Sequence, residues 1–405
     1  MSALYPFRAL RPDADVAPRV ASVPYDVVNT DEARALAEGN PLSFLHVTRS
    51  EIDLPAATNP YDASVYAKAV SNFEQLKTAA PLVTEAEPSL YMYRLRMGSH
   101  EQIGLAGCFS VDEYDRGLVK KHEKTRKDKE DDRTRHITEL RAQTGLVFLT
   151  YRTSDAVHAL TPRITSRTPL HDFVAPDGVA HTVWQVTGAD CDALVRAFAA
   201  LDALYIADGH HRAASASRAC QAMRAGGTGG ADSERFVAVA FPDDQMQILP
   251  YNRVVKDLAG HTPESFLSAL RSVGSVYDGS ASPDGPGQVS VLLGSKWYTL
   301  HLPQPGPGAS HADGLDVEVL QQRVLQPLLK VDDPRTDKRI DFVGGIRGTA
   351  ELERLVKEGK AAVAFAMYPV SIGDLMTIAD AGGIMPPKST WFEPKLRDGL
   401  LVHPI

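Results

Sequence analysis

Apolar positions along this chain follow two periods, and the changes between them outline its elements. Across 62–80, Val65, Ala69, Phe73 and Leu76 recur at helical spacing on one face. Leu90-Tyr91-Met92-Tyr93-Arg94-Leu95-Arg96 then alternates as a strand, and 104–111 reads as its partner across a turn at Ser99-His100. The short runs at 145–151, 182–186, 203–207 and 236–241 are strand-like. Helical patterns at 190–201 and 214–224 separate them. Nearer the start, Asn29-Thr30-Asp31-Glu32 offers capping chemistry for a helix that Gly39 stops, and 40–49 reads as a turn into a strand.

Near residue 260 the composition shifts. The stretches 278–287 and 303–314 are rich in Gly, Ser and Pro, and 288–293 with 296–300 between them reads as a hairpin. Helices at 316–329 and 349–358 and a strand at 362–367 follow. The pattern predicts an α/β fold with a mixed sheet (α+β in its mixture of pairings). It divides into a core over 1–260 and a smaller C-terminal α/β segment over 261–405, whose tail returns to the cleft.

The 405 residues are 43% hydrophobic and 23% charged, ordinary for a globular protein able to bury a large core. A net charge of −8 argues against a nucleic-acid partner, which would call for a basic surface. No apolar run approaches the roughly 18 residues of a membrane span, so no membrane partner is expected. Cys108, Cys191 and Cys220 are odd in number and widely separated, which fits a reducing cytoplasm rather than a disulfide framework.

The densest chemistry lies at Ala207-Asp208-Gly209-His210-His211-Arg212, where a strand meets a tight turn and a helix start. The first N–H groups of a helix lack intrahelical partners, and the dipole there favours anions. Gly209 admits close approach to the backbone, and His210, His211 and Arg212 add donors and charge. Neighbouring histidines point in different directions on a helix, so a zinc site is not expected. A second concentration runs over 120–136, with eight basic and five acidic residues. Such a run is usually a solvated helix laced with i,i+4 pairs. Here it holds two histidines between buried strands, and its side chains suit phosphate chemistry. Pro24-Tyr25-Asp26, Leu249-Pro250-Tyr251-Asn252-Arg253 and Pro387-Lys388-Ser389-Thr390-Trp391-Phe392-Glu393-Pro394-Lys395 are smaller islands of rigid, polar sequence.

These islands, with Gly39-Asn40-Pro41-Leu42-Ser43-Phe44-Leu45 and Lys121-His122-Glu123-Lys124-Thr125, resemble the DUF1015 family over nearly the whole chain. More distantly, Asp208-Gly209-His210-His211-Arg212 resembles the Asp-Gly-X-X-Arg signature of the ParB/sulfiredoxin superfamily, which includes nucleotide-dependent free serine kinases. Sulfiredoxins carry a cysteine where this chain has His210, so their chemistry is not expected.

That resemblance implies a ParB/sulfiredoxin-like nucleotide-binding core and a small-molecule phosphotransferase. The expected reaction is a nucleotide- and Mg²⁺-dependent kinase step on free serine or a similar hydroxy acid. Asp208, Gly209, His210, His211 and Arg212 would cradle the phosphates of ATP or ADP, with Arg126 and Lys129 adding charge. Lys121 would offset charge on the transferred group. Glu123 would accept the hydroxyl proton, with Asp26 as second candidate and His122 beside it. Arg253, Asn252, Lys388 and Thr390 would hold the substrate, and Glu130 and Asp131 the Mg²⁺. Partners are then the nucleotide and a small molecule, with a homodimer among the assemblies to test. A nucleotide-gated switch like ParB and a phosphoester hydrolase are the alternative readings.

Overall fold

A computed structural model describes residues 3–405. The chain forms two compact units. One runs to Met246 and regains the chain at Pro394–Ile405; the other is Gln247–Glu393. The expected boundary near 260 falls inside the second unit, because the strand Tyr251–Val255 pairs with strands at Ile340–Gly344 and Val363–Met367.

The first unit is built on a nine-stranded mixed sheet. Its strands are β1 (Leu4–Tyr5), β2 (Leu90–Met97), β3 (His100–Ser110), β4 (Val119–Lys120), β5 (Val147–Tyr151), β6 (His171–Val174), β7 (Ala180–Val186), β8 (Leu204–Asp208) and β9 (Arg235–Pro242). They lie in the order β4-β8-β5-β9-β3-β2-β7-β6, with β1 on β3. β5 runs parallel to β9 and antiparallel to β8. All five residues of β5 are buried, as its near-continuous apolar run requires of a strand covered on both faces. Phe198, Ile206 and Phe236 join its Leu149 in one core, and each large side chain contributes roughly 2–3 kcal/mol by leaving water.

Three helices of this unit matter below: α1 (Lys127–Leu140), α2 (Asp155–Thr165) and α3 (His210–Ala225). α3 is buried along much of its length through Ala213, Ala214, Ala216 and Ala219, whose small side chains let the sheet approach closely. The charged stretch 120–136 is therefore part loop and part helix. α1 begins only at Lys127, and it turns Asp132, His136, Ile137 and Leu140 inward.

One expectation fails: 40–49 holds no strand. Leu45–Thr48 forms a helical turn, because Phe44 packs edge-on against Phe73 at 6.3 Å and the Thr48 hydroxyl donates back to the Phe44 carbonyl. A short apolar run does not distinguish strand from helix by periodicity. The Asn29 capping box with Glu32 does start a helix, Thr30–Ala37.

The second unit carries a six-stranded sheet of β10 (Tyr251–Val255), β11 (Val276–Asp278), β12 (Gln288–Leu293), β13 (Lys296–His301), β14 (Ile340–Gly344) and β15 (Val363–Met367). Their order is β11-β13-β12-β15-β10-β14. β12 and β13 form the hairpin the alternation predicts, turned at Gly294 with φ +64°. Among the described residues no helix is long and apolar enough to cross a membrane, and all three cysteines are free and buried.

Candidate functional site

β8 ends at Asp208, where its register with β5 shifts, and α3 starts at His210. Between them Gly209 has φ +91°, a left-handed conformation that only glycine adopts freely. The Asp208 carboxylate accepts a hydrogen bond from the Gly209 N–H at 2.8 Å and one from the Lys395 ammonium at 2.8 Å. Burial alone would raise this carboxyl. Lys395, Arg212 and the two hydrogen bonds outweigh it and hold the group well below the usual carboxylate range.

Arg212 turns inward. One terminal nitrogen donates to the Leu146 carbonyl at 2.7 Å and the other to Asp26 at 2.6 Å, while the guanidinium lies 5.5 Å from the Tyr25 ring centre. Asp398 lies nearby, fully buried, and neither carboxylate oxygen has a well-formed hydrogen bond. Burial pushes its carboxyl up to about 7 against the attraction of Arg212. Arg212 is thus an internal brace joining the helix start to Asp26, where the sequence suggests a phosphate donor.

The two motif histidines also act differently from expectation. His210 Nε2 accepts from the His122 N–H at 3.4 Å, and His211 Nε2 accepts from the Arg126 N–H at 3.0 Å. Both rings tie the loop 121–126 to the start of α3. The His122 ring meets His210 edge-on at 4.4 Å. Burial holds His122 down to about 4 and His210 well below its ordinary range, and it lowers His211 as well. Burial thus favours the neutral form of all three imidazoles and works against their carrying positive charge toward an anion. With its Nε2 accepting, His210 carries its proton on Nδ1, which faces Glu123 at 3.8 Å. What the junction does leave open is backbone: the N–H groups of His210 and His211 have no hydrogen-bond partner among the described residues.

Around this junction the basic residues divide. The Lys121 ammonium sits 3.5 Å from the centre of the Tyr114 ring, and burial lowers its pKa. Arg126 pairs with Asp128 at 2.8 Å, and Lys129 donates to the Tyr61 hydroxyl at 2.8 Å, both at the surface. Glu123 and Asp26 are partly exposed, with side chains 42% and 34% accessible. Glu130 accepts from Thr125 and from Arg218 (3.1 Å), and Asp131 accepts from the same Arg218. The single Arg218 guanidinium thus bridges the two carboxylates proposed to hold Mg²⁺ and offsets one of their two charges. Among the described residues no cluster of three or more His, Cys, Asp or Glu is placed to hold a metal.

The four residues expected to hold substrate all belong to the second unit. Asn252 is buried and accepts from the Met367 N–H at 3.0 Å, locking β10 to β15. Arg253 is buried and donates to the Tyr251 carbonyl and, at 2.9 Å, to the Lys388 carbonyl. Burial lowers its pKa to about 10. Both side chains are occupied internally. Lys388 is exposed, its ammonium 5.3 Å from the Tyr251 ring centre, and Thr390 is half-buried. Lys395 and Asp398, by contrast, are site residues that the sequence reading did not single out. Lys395 ends a motif noted for its proline and aromatic content, and no local pattern ties either residue to position 208 or 212.

The geometry defines a mixed α/β protein with a strand–glycine–helix junction braced by buried ion pairs. The chain belongs to the DUF1015 family, described as a protein of unknown function, whose profile matches residues 4–326. No curated protein matches. Among solved structures, SbnI with C-terminal truncation from Staphylococcus aureus is similar at 11% identity and TM-score 0.39, covering 72% of this chain and 85% of that one. A conserved hypothetical protein from Pyrococcus furiosus follows at 15% and 0.37, covering 73% and 94%. A free serine kinase in complex with AMP is similar at 12% and 0.36, covering 72% and 91%.

Proposed function

We propose that the chain is a small-molecule phosphotransferase that moves a phosphoryl group from a nucleotide, ATP or ADP, to the hydroxyl of free serine or a similar hydroxy acid. One observation carries the reading. The unpartnered N–H groups of His210 and His211 open α3 beside the Glu123 carboxylate, after a glycine whose left-handed conformation makes the turn into the helix. The Asp-Gly-X-X-Arg resemblance supplies the nucleotide and the acceptor class.

In this reading the two N–H groups bind oxygens of the terminal phosphate, favoured by the dipole of α3. The acceptor oxygen attacks the terminal phosphorus, the bond from phosphorus to the bridging oxygen breaks, and the shortened nucleotide leaves. Glu123 takes the hydroxyl proton, with His210 Nδ1–H 3.8 Å from its carboxylate. Asp26 is the second candidate base, with one oxygen committed to Arg212. His210 and His211 hold the loop that carries His122, Glu123 and Arg126. No step runs through Glu130 and Asp131.

Phosphorus NMR of the full chain with ATP or ADP and serine tests this. A phosphate ester on serine, absent with Glu123→Gln, is the expected result. Free phosphate with no ester makes the chain a hydrolase, and nucleotide binding without turnover makes it a switch. Either outcome sinks the kinase reading.

A further inference from the structure

A cavity of about 270 Å³ lies between α2 and the sheet of the first unit, away from the Asp208 junction. It reaches Tyr151 and Pro242, the last residues of the parallel strands β5 and β9. Asp208 instead pairs with Phe148, near the other end of β5. Three residues of strand separate the two positions, roughly 10 Å. Ligands in α/β sheets favour the carboxyl ends of parallel strands, where this cavity opens.

The lining is amphipathic. Met92, Leu105 and Val157 make a buried apolar floor. Tyr151 is 3% exposed and packs on Phe198 at 5.0 Å, yet its hydroxyl has no hydrogen-bond partner among the described residues. The side chain is buried while its hydroxyl is left without a hydrogen bond at the cavity wall, where it can meet a ligand group. Ser154 stands at the N-cap of α2 without capping it, which leaves both its hydroxyl and the first-turn N–H groups available. Asp244, also in the lining, forms no ion pair, and the Gln245 side chain uses only its oxygen, on the Ile103 N–H at 2.8 Å.

We propose that this cavity is a second ligand site, which takes a free α-amino acid with an apolar side chain. The carboxylate lies at the start of α2 on Ser154, where the helix dipole favours it. The ammonium faces Asp244, and Tyr151 supplies a hydrogen bond between the two. The side chain fills the floor on Met92, Leu105 and Val157. A body of leucine to phenylalanine size suits the volume. The site is independent of the phosphotransferase reading and shares no residue with it.

Calorimetric titration of the full chain with leucine and with phenylalanine tests the proposal. Saturable binding is expected, weakened roughly tenfold by Asp244→Asn or Ser154→Ala, since each removes a hydrogen bond to a charged group. Thr161→Trp fills the cavity from α2 and should abolish binding; circular dichroism shows whether that variant folds, and the two polar variants stand without it. Absence of binding by both amino acids overturns the proposal, as does unchanged affinity in Asp244→Asn and Ser154→Ala. Competition by ATP would place the ligand at the α3 junction and overturn it too. Serine phosphorylation is read separately, so failure here leaves the phosphotransferase reading standing.

Discussion

The Lys395 ammonium lies 2.8 Å from the Asp208 carboxylate across 187 residues of sequence. This pair fastens the chain's last segment to the end of β8, and through Asp208 to the N–H of Gly209. The Lys395 side chain is 13% exposed and that of Asp208 30%, so the pair is partly withdrawn from solvent. Removing one partner of such a pair leaves the other charge uncompensated. Lys395→Met should therefore destabilise the protein by about 2–3 kcal/mol at pH 7, measured by urea unfolding. The sign of its pH dependence follows from Asp208, whose folded pKa is depressed. That stabilisation is present above the unfolded carboxylate value of about 3.9 and is lost as pH falls through the folded value. The gap between wild type and Lys395→Met should persist down to about pH 4 and close below it. A gap that closes at neutral pH would contradict the pairing.

Asp398 titrates in the opposite sense. Its folded pKa is raised to about 7 by burial, above the unfolded value. Its contribution is fully present below about pH 3.9 and is lost as pH rises through 7. Asp398→Asn keeps the shape and removes the charge. It should raise stability by about 2 kcal/mol at pH 8 and change little near pH 4. Melting curves at the two pH values decide it; a variant destabilised at pH 8 would show that Asp398 serves as a needed counter-ion to Arg212.

Gly209→Ala isolates the backbone requirement. A Cβ there would meet the Arg212 Cδ and the Val147 Cα at 3.4 Å, ordinary contact distance. The cost is then conformational, from φ +91°, and should be about 1–2 kcal/mol. Gly209→Asn should lose less, because asparagine tolerates the left-handed region better. Equal losses in the two variants would assign the cost to crowding instead.

Some of this was legible in the chain beforehand, for identifiable reasons. The near-continuous apolar run of β5, broken only at Thr150, announces a strand buried on both faces, and the change to an alanine-rich stretch after Gly209 announces the strand–helix junction. Those signals are local. The roles of the side chains are not: His210 and His211 read as donors, but burial favours their neutral form and they accept N–H groups from 122 and 126. Arg212 reads as an anion binder, but Asp26 reaches it from 186 residues away. Glu130 and Asp131 read as metal ligands until Arg218, a distant residue on α3, is seen to hold both. In each case the signal missing from the sequence is a partner remote along the chain that folding brings within hydrogen-bond distance.

The hydrogen bond from the Arg126 N–H to His211 Nε2, at 3.0 Å, gives the last prediction. It is the contact that holds the far end of the loop 121–126 against α3, while the His122–His210 bond holds the near end. His211→Ala removes the acceptor and leaves the Arg126 N–H to solvent. A hydrogen bond of this kind contributes about 1 kcal/mol net, so local opening should become roughly fivefold more frequent. Hydrogen-exchange mass spectrometry should show that acceleration in peptides covering 121–126, with little change in β5 or β9. His211→Gln, whose side-chain oxygen can still accept, should restore part of the protection. If phosphoryl transfer depends on Glu123 being held by this loop, His211→Ala lowers kcat more than it raises KM, and the glutamine variant recovers activity together with protection. Protection unchanged in His211→Ala would show that the loop is held without His211.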